Sequence, residues 1–263
     1  MARIYTLVNQ KGGVGKTTTA INFGAYLGYY GQRVLLVDLD PQANATSCLG
    51  IDKRTVRRGT YEVLIGQAPI APQILHNPRL KISLLPSSPA LAGAEVELIE
   101  VERREYRLRE VLQGVVDRYD YILIDCPPSL SLLTVNGLVA AKHGVIIPVQ
   151  CEYLALEGLG QLTQTINRVN GSLFPELKVR GVVLTMFDGR TRLASDVVAE
   201  VRNHFGDQVF NSIIPRSIRL AEAPSYGIPV SLYAPDSSAA RAYAALAREV
   251  LEQDGIHIPV LQS

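Results

Sequence analysis

The groups best placed to do chemistry in this 263-residue chain lie in one stretch, Asn9-Gln10-Lys11-Gly12-Gly13-Val14-Gly15-Lys16-Thr17-Thr18. Three glycines fall within four residues, flanked by two lysines and two threonine hydroxyls. A glycine-rich turn points successive backbone N–H groups inward, and at the positive end of a helix dipole that geometry binds anions. The anion that suits it is a nucleotide phosphate, with Gln10 through Thr18 as candidate contacts. Lys16 adds a point charge for the β- and γ-phosphates, and the Thr17 hydroxyl a ligand for Mg²⁺.

The strict phosphate-loop spacing, Gly, four residues, Gly-Lys-Ser/Thr, fails at its first glycine, because position 10 is glutamine. A second lysine, Lys11, stands five residues before Lys16 instead. The dinucleotide pattern G-x-G-x-x-G, tried on Gly13 and Gly15, fails at its third glycine, which falls on Thr18. The flanks favour the phosphate reading over a solvated glycine turn. Ile4 to Val8 is an apolar run of strand length, and Ala20 to Leu27 carries apolar residues at helical spacing.

A nucleoside triphosphate needs a divalent cation, and the cation needs oxygen ligands. Asp125 ends the apolar run Tyr121-Ile122-Leu123-Ile124 and precedes Cys126-Pro127-Pro128, so it sits at a strand end and suits Mg²⁺, through water. Asp40 holds the equivalent place after the strand Arg33 to Val37 and could activate the attacking water. Asp38, two residues earlier, faces the same side and could support the Mg²⁺ water shell. Spacing leaves the division of roles between Asp38 and Asp40 open.

These groups must be positioned by a sheet. Apolar strands at Ile4–Val8, Arg33–Val37, Leu80–Leu85, Tyr119–Asp125, Gly144–Val149, Leu177–Thr185 and Gln208–Ile214 alternate with helices at about 20–30, 155–170, 193–205 and 237–253. Residues 43–80 read as short helices and loops, and 90–117 as one long helix whose charged middle is a solvated face. Continuous apolar strands alternating with helices predict an α/β fold of three layers, a mostly parallel sheet between two helical layers. In such sheets ligands bind beyond the carboxyl ends of the strands, which gives the lysines and all three acids a shared address. No linker, repeat or low-complexity tract divides the chain, so residues 1–255 read as one domain and 256–263 as a tail.

Hydrophobic residues make up 47% of the chain and charged ones 19%, as in a globular protein. No run of 18 apolar residues is present, and the N-terminus lacks a signal-peptide layout, so a cytoplasmic protein with no membrane span is expected. Cys48, Cys126 and Cys151 lack metal-ligand spacing and read as reduced thiols. A net charge of +1 does not announce a nucleic-acid binder, so any such role must rest on a local patch.

Lys11 to Thr18, Asp38-Leu39-Asp40-Pro41-Gln42-Ala43-Asn44 and Ile124 to Ser129 resemble the three nucleotide motifs of the deviant Walker A ATPases. Leu184 to Thr191 and Ile214 to Gly227 narrow the resemblance to the ParA/Soj partitioning ATPases, and it spans residues 3 to about 250. The resemblance implies the P-loop NTPase fold, ATP and Mg²⁺ as cofactors, and weak ATPase activity stimulated by a partner. It implies that Lys11 reaches the ATP of a second subunit, so that ATP closes a homodimer. Asp40 is tied to hydrolysis, Asp125 to Mg²⁺, and Pro215-Arg216 borders adenine. The dimer of such proteins binds DNA without sequence preference, and the matching residues here are Arg190 and Arg219, with Arg192, Arg216 and Lys178 near enough in sequence to help. The implied partner is a ParB/Spo0J-type centromere-binding protein, and the implied location is the nucleoid.

Three rivals share the fold. A MinD-like ATPase uses a C-terminal amphipathic helix on membranes, but Ala239 to Ala245 lacks the bulky apolar face and flanking lysines that this requires. A ParA-like ATPase could position another cargo by the same cycle. A metabolic relative, of the nitrogenase iron protein or cobyrinic-acid type, is the third. Iron–sulfur chemistry would need a second cysteine at suitable spacing from Cys126, and none follows.

Overall fold

The computed structural model describes residues 1–153 and 155–258. In chain order the strands are β1 (Arg3–Leu7), β2 (Val34–Asp38), β3 (Leu75–Asn77), β4 (Ile82–Leu85), β5 (Tyr121–Asp125), β6 (Gly144–Gln150) and β7 (Val179–Thr185). The helices are α1 (Lys16–Tyr29), α2 (Asn44–Cys48), α3 (Thr60–Leu64), α4 (Leu91–Glu97), α5 (Arg107–Leu112), α6 (Leu132–Ala140), α7 (Ala155–Ser172), α8 (Arg192–Phe205), α9 (Ile218–Glu222), α10 (Val230–Tyr233) and α11 (Ser238–Gln253).

The strands form one seven-stranded sheet in the order β3-β4-β2-β5-β1-β6-β7, parallel except for β3. Period-two alternation divides its two faces. Tyr5, Leu7, Val34, Leu36 and Leu123 pack with Phe23 and Leu27 of α1 and with Tyr243 and Leu246 of α11. Ile4, Leu35, Val37, Ile122 and Ile124 face the other way, onto α3 to α6. Val145, Ile147, Val182 and Leu184 continue that second layer under α6, α7 and α8. The expected three-layer α/β architecture is the one observed.

Register sets the site. Leu7 and Asp38 both pair with Asp125 across neighbouring strands, so β1, β2 and β5 end level. At the opposite end of the sheet, Asp254 accepts hydrogen bonds from the Tyr5 and Tyr121 hydroxyls (2.9 and 2.7 Å) and pairs with Arg180. That network pins the end of α11 beneath β1 and β5.

Three expectations are corrected. Residues 90–117 do not form one helix: α4 and α5 are separated by a break in which Arg103 adopts φ 55. Asn136 of α6 stabilises the break, donating to the Arg104 carbonyl (2.9 Å) and accepting from Leu108 N–H (3.0 Å). Residues 208–214 form no strand; they run beside β7, with Phe210 N–H on the Val182 carbonyl and Ile214 N–H on that of Leu184. The edge strand β3 lies in the region read as loops, and all three of its residues are exposed, which erases the apolar signal. Ile256 and Ile258 pack against the core beside α11, and the rest of the expected tail, 259–263, lies outside the described residues.

Candidate nucleotide site

The loop after β1 is anchored before it turns. Asn9 is buried; its Nδ2 donates to the Pro148 carbonyl of β6 (2.8 Å), and its Oδ1 accepts from Lys11 N–H (3.0 Å). Gly13 and Gly15 adopt φ 76 and φ 89, backbone that a side chain would strain. Val14 between them is buried, and its carbonyl accepts a hydrogen bond from Thr185 Oγ1 at the end of β7 (2.8 Å). Gly15 caps α1, so the loop amides lie at the helix N-terminus.

The two lysines part company here. Lys16 is only 7% exposed, and its Nζ donates to the Lys11 carbonyl (3.1 Å). Burial pulls its ammonium below the ordinary lysine range, partly offset by Asp125. Lys11 points out into solvent and has no ion-pair partner among the described residues. Gln10 turns its side chain to Thr165 of α7 (3.2 Å), leaving only its backbone for a phosphate.

The three acids also separate. Asp125 is fully buried; Oδ2 accepts from the Thr17 hydroxyl (2.7 Å), while Oδ1 has no hydrogen-bond partner. Burial, reinforced by the Asp38 charge, pushes its carboxyl up to about 8. A buried carboxylate oxygen with no donor is costly, and a cation or an ordered water on a cation relieves it. Asp40 lines the cavity over the loop, held by Gln42 N–H on its Oδ1 (2.8 Å) and by Ser87 Oγ on its carbonyl (2.8 Å). Asp38, expected beside the Mg²⁺ shell, has both oxygens occupied: Oδ2 by Thr46 N–H and Oγ1 (2.8 and 2.7 Å), Oδ1 by Asp40 N–H (3.2 Å). Burial pushes it up to about 6 against those bonds. Its geometry is that of a brace joining β2 to α2.

Two adjoining cavities provide the room. One, of about 310 Å³, lies over Gly12, Gly13, Lys16 and Thr17 and reaches Asp40. The other, of about 410 Å³, is walled by Ile214, Pro215, Arg216 and Leu220. Gly15, Thr18 and Met186 line both, so the cavities adjoin at these three residues. Met186 holds φ 53, an uncommon conformation for a residue with a Cβ, at this junction. Arg216 is fixed by Glu152 (2.6 Å). A larger cavity, about 600 Å³, opens at the other end of the sheet and contains none of the loop, acid or Pro215-Arg216 residues.

The described residues contain no cluster of three His, Cys, Asp or Glu side chains able to hold a metal alone. The donors that are present, the Thr17 hydroxyl and the unpartnered Asp125 Oδ1, suit Mg²⁺, which keeps most of its waters and binds through one or two carboxylates and the substrate's phosphates.

Arg190 and Arg219 are exposed, and each is already engaged: Arg190 with Asp188 (2.6 Å) and Arg219 with Glu222 (2.8 Å). Arg192 and Arg216 follow Arg190 at the carboxyl end of β7. Lys178 does not join them. It precedes Val179, the first residue of β7, and seven strand residues of about 3.3 Å each put it at the opposite end of the sheet. Asn9, Thr46, Thr185 and Met186 hold places in the site that the motifs do not assign. Of these only Thr185, a hydroxyl closing an apolar strand, offered a signal.

A family model described as an AAA domain matches residues 2–179. The sporulation initiation inhibitor protein Soj of Bacillus subtilis is 51% identical, covering 95% of this chain and 98% of its own. The chromosome partitioning protein ParA of Myxococcus xanthus is 51% identical, covering 97% and 89%. A solved structure of cobyrinic acid a,c-diamide synthase from Mycobacterium smegmatis, with bound ADP and magnesium, superposes with a TM-score of 0.85 at 38% identity and full coverage of both chains. Phosphate loop, strand-end acids and near-full-length identity agree: the chain belongs to the ParA/Soj family of chromosome-partitioning P-loop ATPases.

Proposed function

We propose that this protein is an ATP-driven dimerising switch that grips DNA without sequence preference and releases it on hydrolysis, moving chromosomal or plasmid DNA. The observation that carries the reading is the parting of the two lysines, Lys16 drawn into the loop and Lys11 held out of it. Lys16 neutralises phosphate charge within its own subunit. Lys11 is free to enter the site of a second copy and supply the charge that an arginine finger supplies elsewhere.

In this reading the nucleotide lies across both cavities, its phosphates on the Gly12–Thr18 amides and its base against Pro215-Arg216. Thr17 and, through water, Asp125 would hold Mg²⁺, which when bound would supply positive charge to offset that of the phosphates. Asp125 Oδ1, buried without a donor, supports that placement, as does the ADP and magnesium bound by the Mycobacterium smegmatis neighbour. Asp40 orients the attacking water from the cavity wall, and Asp38 holds Asp40's backbone in place. Single-domain organisation across residues 1–255 is part of the same proposal, since residues from Gly12 to Tyr243 line the two adjoining cavities.

Arg190 and Arg219, assisted by Arg192 and Arg216, contact DNA phosphates. Two or three contacts per protomer give four to six per dimer, and counterion release then sets a salt slope of about −4 to −5. A ParB/Spo0J-type partner stimulates hydrolysis and so times release at the nucleoid. The relatives named for partitioning share 51% of the sequence, against 38% for the diamide synthase, which favours segregation over cofactor biosynthesis.

The test is a titration of random-sequence duplex DNA, with and without ATP, at two salt concentrations. Binding that requires ATP, weakens steeply with salt and disappears in Arg190→Glu/Arg219→Glu is the expected result. DNA affinity indifferent to ATP, or ATP-dependent binding to anionic vesicles in its place, would overturn the reading.

A further inference from the structure

Between α2 and α3 the chain reads Asp52-Lys53-Arg54-Thr55-Val56-Arg57-Arg58. Four cations and one acid give this segment a charge of +3 (4 − 1), in a chain whose total is +1. The one acid, Asp52, is taken up by Arg54 (2.9 Å). Arg57 and Arg58 are exposed, and their side chains have no hydrogen bond or ion pair among the described residues. Arg33, Arg190, Arg216 and Arg219 sit on a carboxylate. Arg79, Arg118, Arg168, Arg202 and Arg248 are also exposed without a partner among the described residues, but none of these stands next to a second open arginine. Two adjacent arginines left open repel each other, and an external polyanion turns that cost into attraction.

The segment is held at both ends. Lys53 Nζ donates to the Gln42 carbonyl (2.7 Å), which ties it to the Asp38–Gln42 turn. Beyond it, Gly59 N–H bonds Glu62 (2.7 Å) and Thr60 N–H the Pro86 carbonyl (2.8 Å); a Cβ on Gly59 would collide with that carbonyl. The cations are therefore presented from the carboxyl end of the sheet, where the nucleotide loops lie. Just before the segment, Gly50 packs directly on Gly227, which closes the turn Ala223–Tyr226 that follows α9 and Arg219. The chain leading into the open arginines and the turn leading out of the Arg219 helix thus touch at Gly50 and Gly227.

We propose that residues 53–58 are a second phosphate-contact patch, extending the Arg219 edge along the backbone of double-stranded DNA, with Arg57 and Arg58 as its principal contacts. This rests on the DNA-binding reading above. Two further contacts per protomer make four per dimer, which steepens the salt slope by about 3 to 4.

The test uses the full chain with ATP and random-sequence duplex DNA, read by fluorescence anisotropy at about 50 and about 200 mM salt. The variants are Arg57→Ala/Arg58→Ala and the charge-keeping Arg57→Lys/Arg58→Lys. Over that fourfold salt range the alanine variant should lose about 100-fold less affinity than wild type, since its slope is shallower by about 3 to 4. The lysine variant should keep the wild-type slope, and both should form the ATP-induced dimer. An unchanged slope in the alanine variant, with binding still abolished by Arg190→Glu/Arg219→Glu, would overturn the patch and leave the DNA reading intact. Loss of the ATP-induced dimer in the alanine variant would also overturn it, by moving the arginines to the subunit contact. Absence of any DNA binding by wild type would remove both.

Discussion

Thr185→Val should weaken nucleotide binding without unfolding the protein. Thr185 is 2% exposed and lies at the end of β7, remote in sequence from the glycine loop. Its hydroxyl donates to the Val14 carbonyl at 2.8 Å, between the two glycines in left-handed backbone, and its methyl lies against Gly15. Valine has the same shape and lacks the donor. A buried carbonyl deprived of its donor costs about 1–3 kcal/mol. If that cost falls on the loop, which must hold its amides inward to meet phosphate, affinity drops by about 5- to 140-fold at 1.4 kcal/mol per decade. The assay is titration of a fluorescent ATP analogue with Mg²⁺, beside thermal unfolding without nucleotide. Thr185→Ser restores the donor while leaving a methyl-sized gap, so it should recover affinity yet melt lower, a methylene being worth about 0.8 kcal/mol. A valine variant that binds within about twofold of wild type would refute the bracing role. So would equal affinity losses in valine and serine, because those would trace to packing.

Other outcomes bear on the switch. Lys16→Ala should abolish nucleotide binding, whereas Lys11→Ala should bind ATP normally yet stay monomeric by light scattering; dimerisation of the latter would remove its role across subunits. Asp125→Asn should lose the Mg²⁺ dependence of nucleotide affinity. Because burial raises its carboxyl to about 8, the contribution of Asp125 to the apo fold is complete below about pH 4 and lost as pH rises through about 8. Urea midpoints without Mg²⁺ should therefore fall from about pH 5 to about pH 8 in wild type and less in Asp125→Asn; parallel curves would contradict the assignment. Asp188→Asn frees Arg190 from its 2.6 Å partner and should tighten DNA binding severalfold at low salt; unchanged affinity would place Arg190 off the DNA surface.

Much of the site was legible because its chemistry is local in sequence. Gly12 to Thr18 combines amides, charge and hydroxyl within one turn, and Asp40 and Asp125 each follow a short apolar run of strand length. The layered fold was legible for the same reason, since strands buried on both faces announce themselves by composition. Where side chains are exposed the signal fails. β3 has no buried residue, and the 90–117 region looks helical although Asn136, remote in sequence, offers its backbone better partners at the break.

The sequence alone determined which groups could meet phosphate and Mg²⁺, and that they would lie at one end of a parallel sheet. Only the tertiary structure showed how differently they are held. Asp38 and Asp40 are two residues apart and chemically identical, yet Thr46 takes up Asp38 while Asp40 faces the cavity. Lys178 and Arg190 are near in sequence but stand at opposite ends of β7. Thr185 braces a loop that lies 171 residues away from it. For Asp38 and Thr185 the outcome depends on which donor or acceptor packing brings within about 3 Å, and the pleat of a strand carries no record of its neighbour on the next.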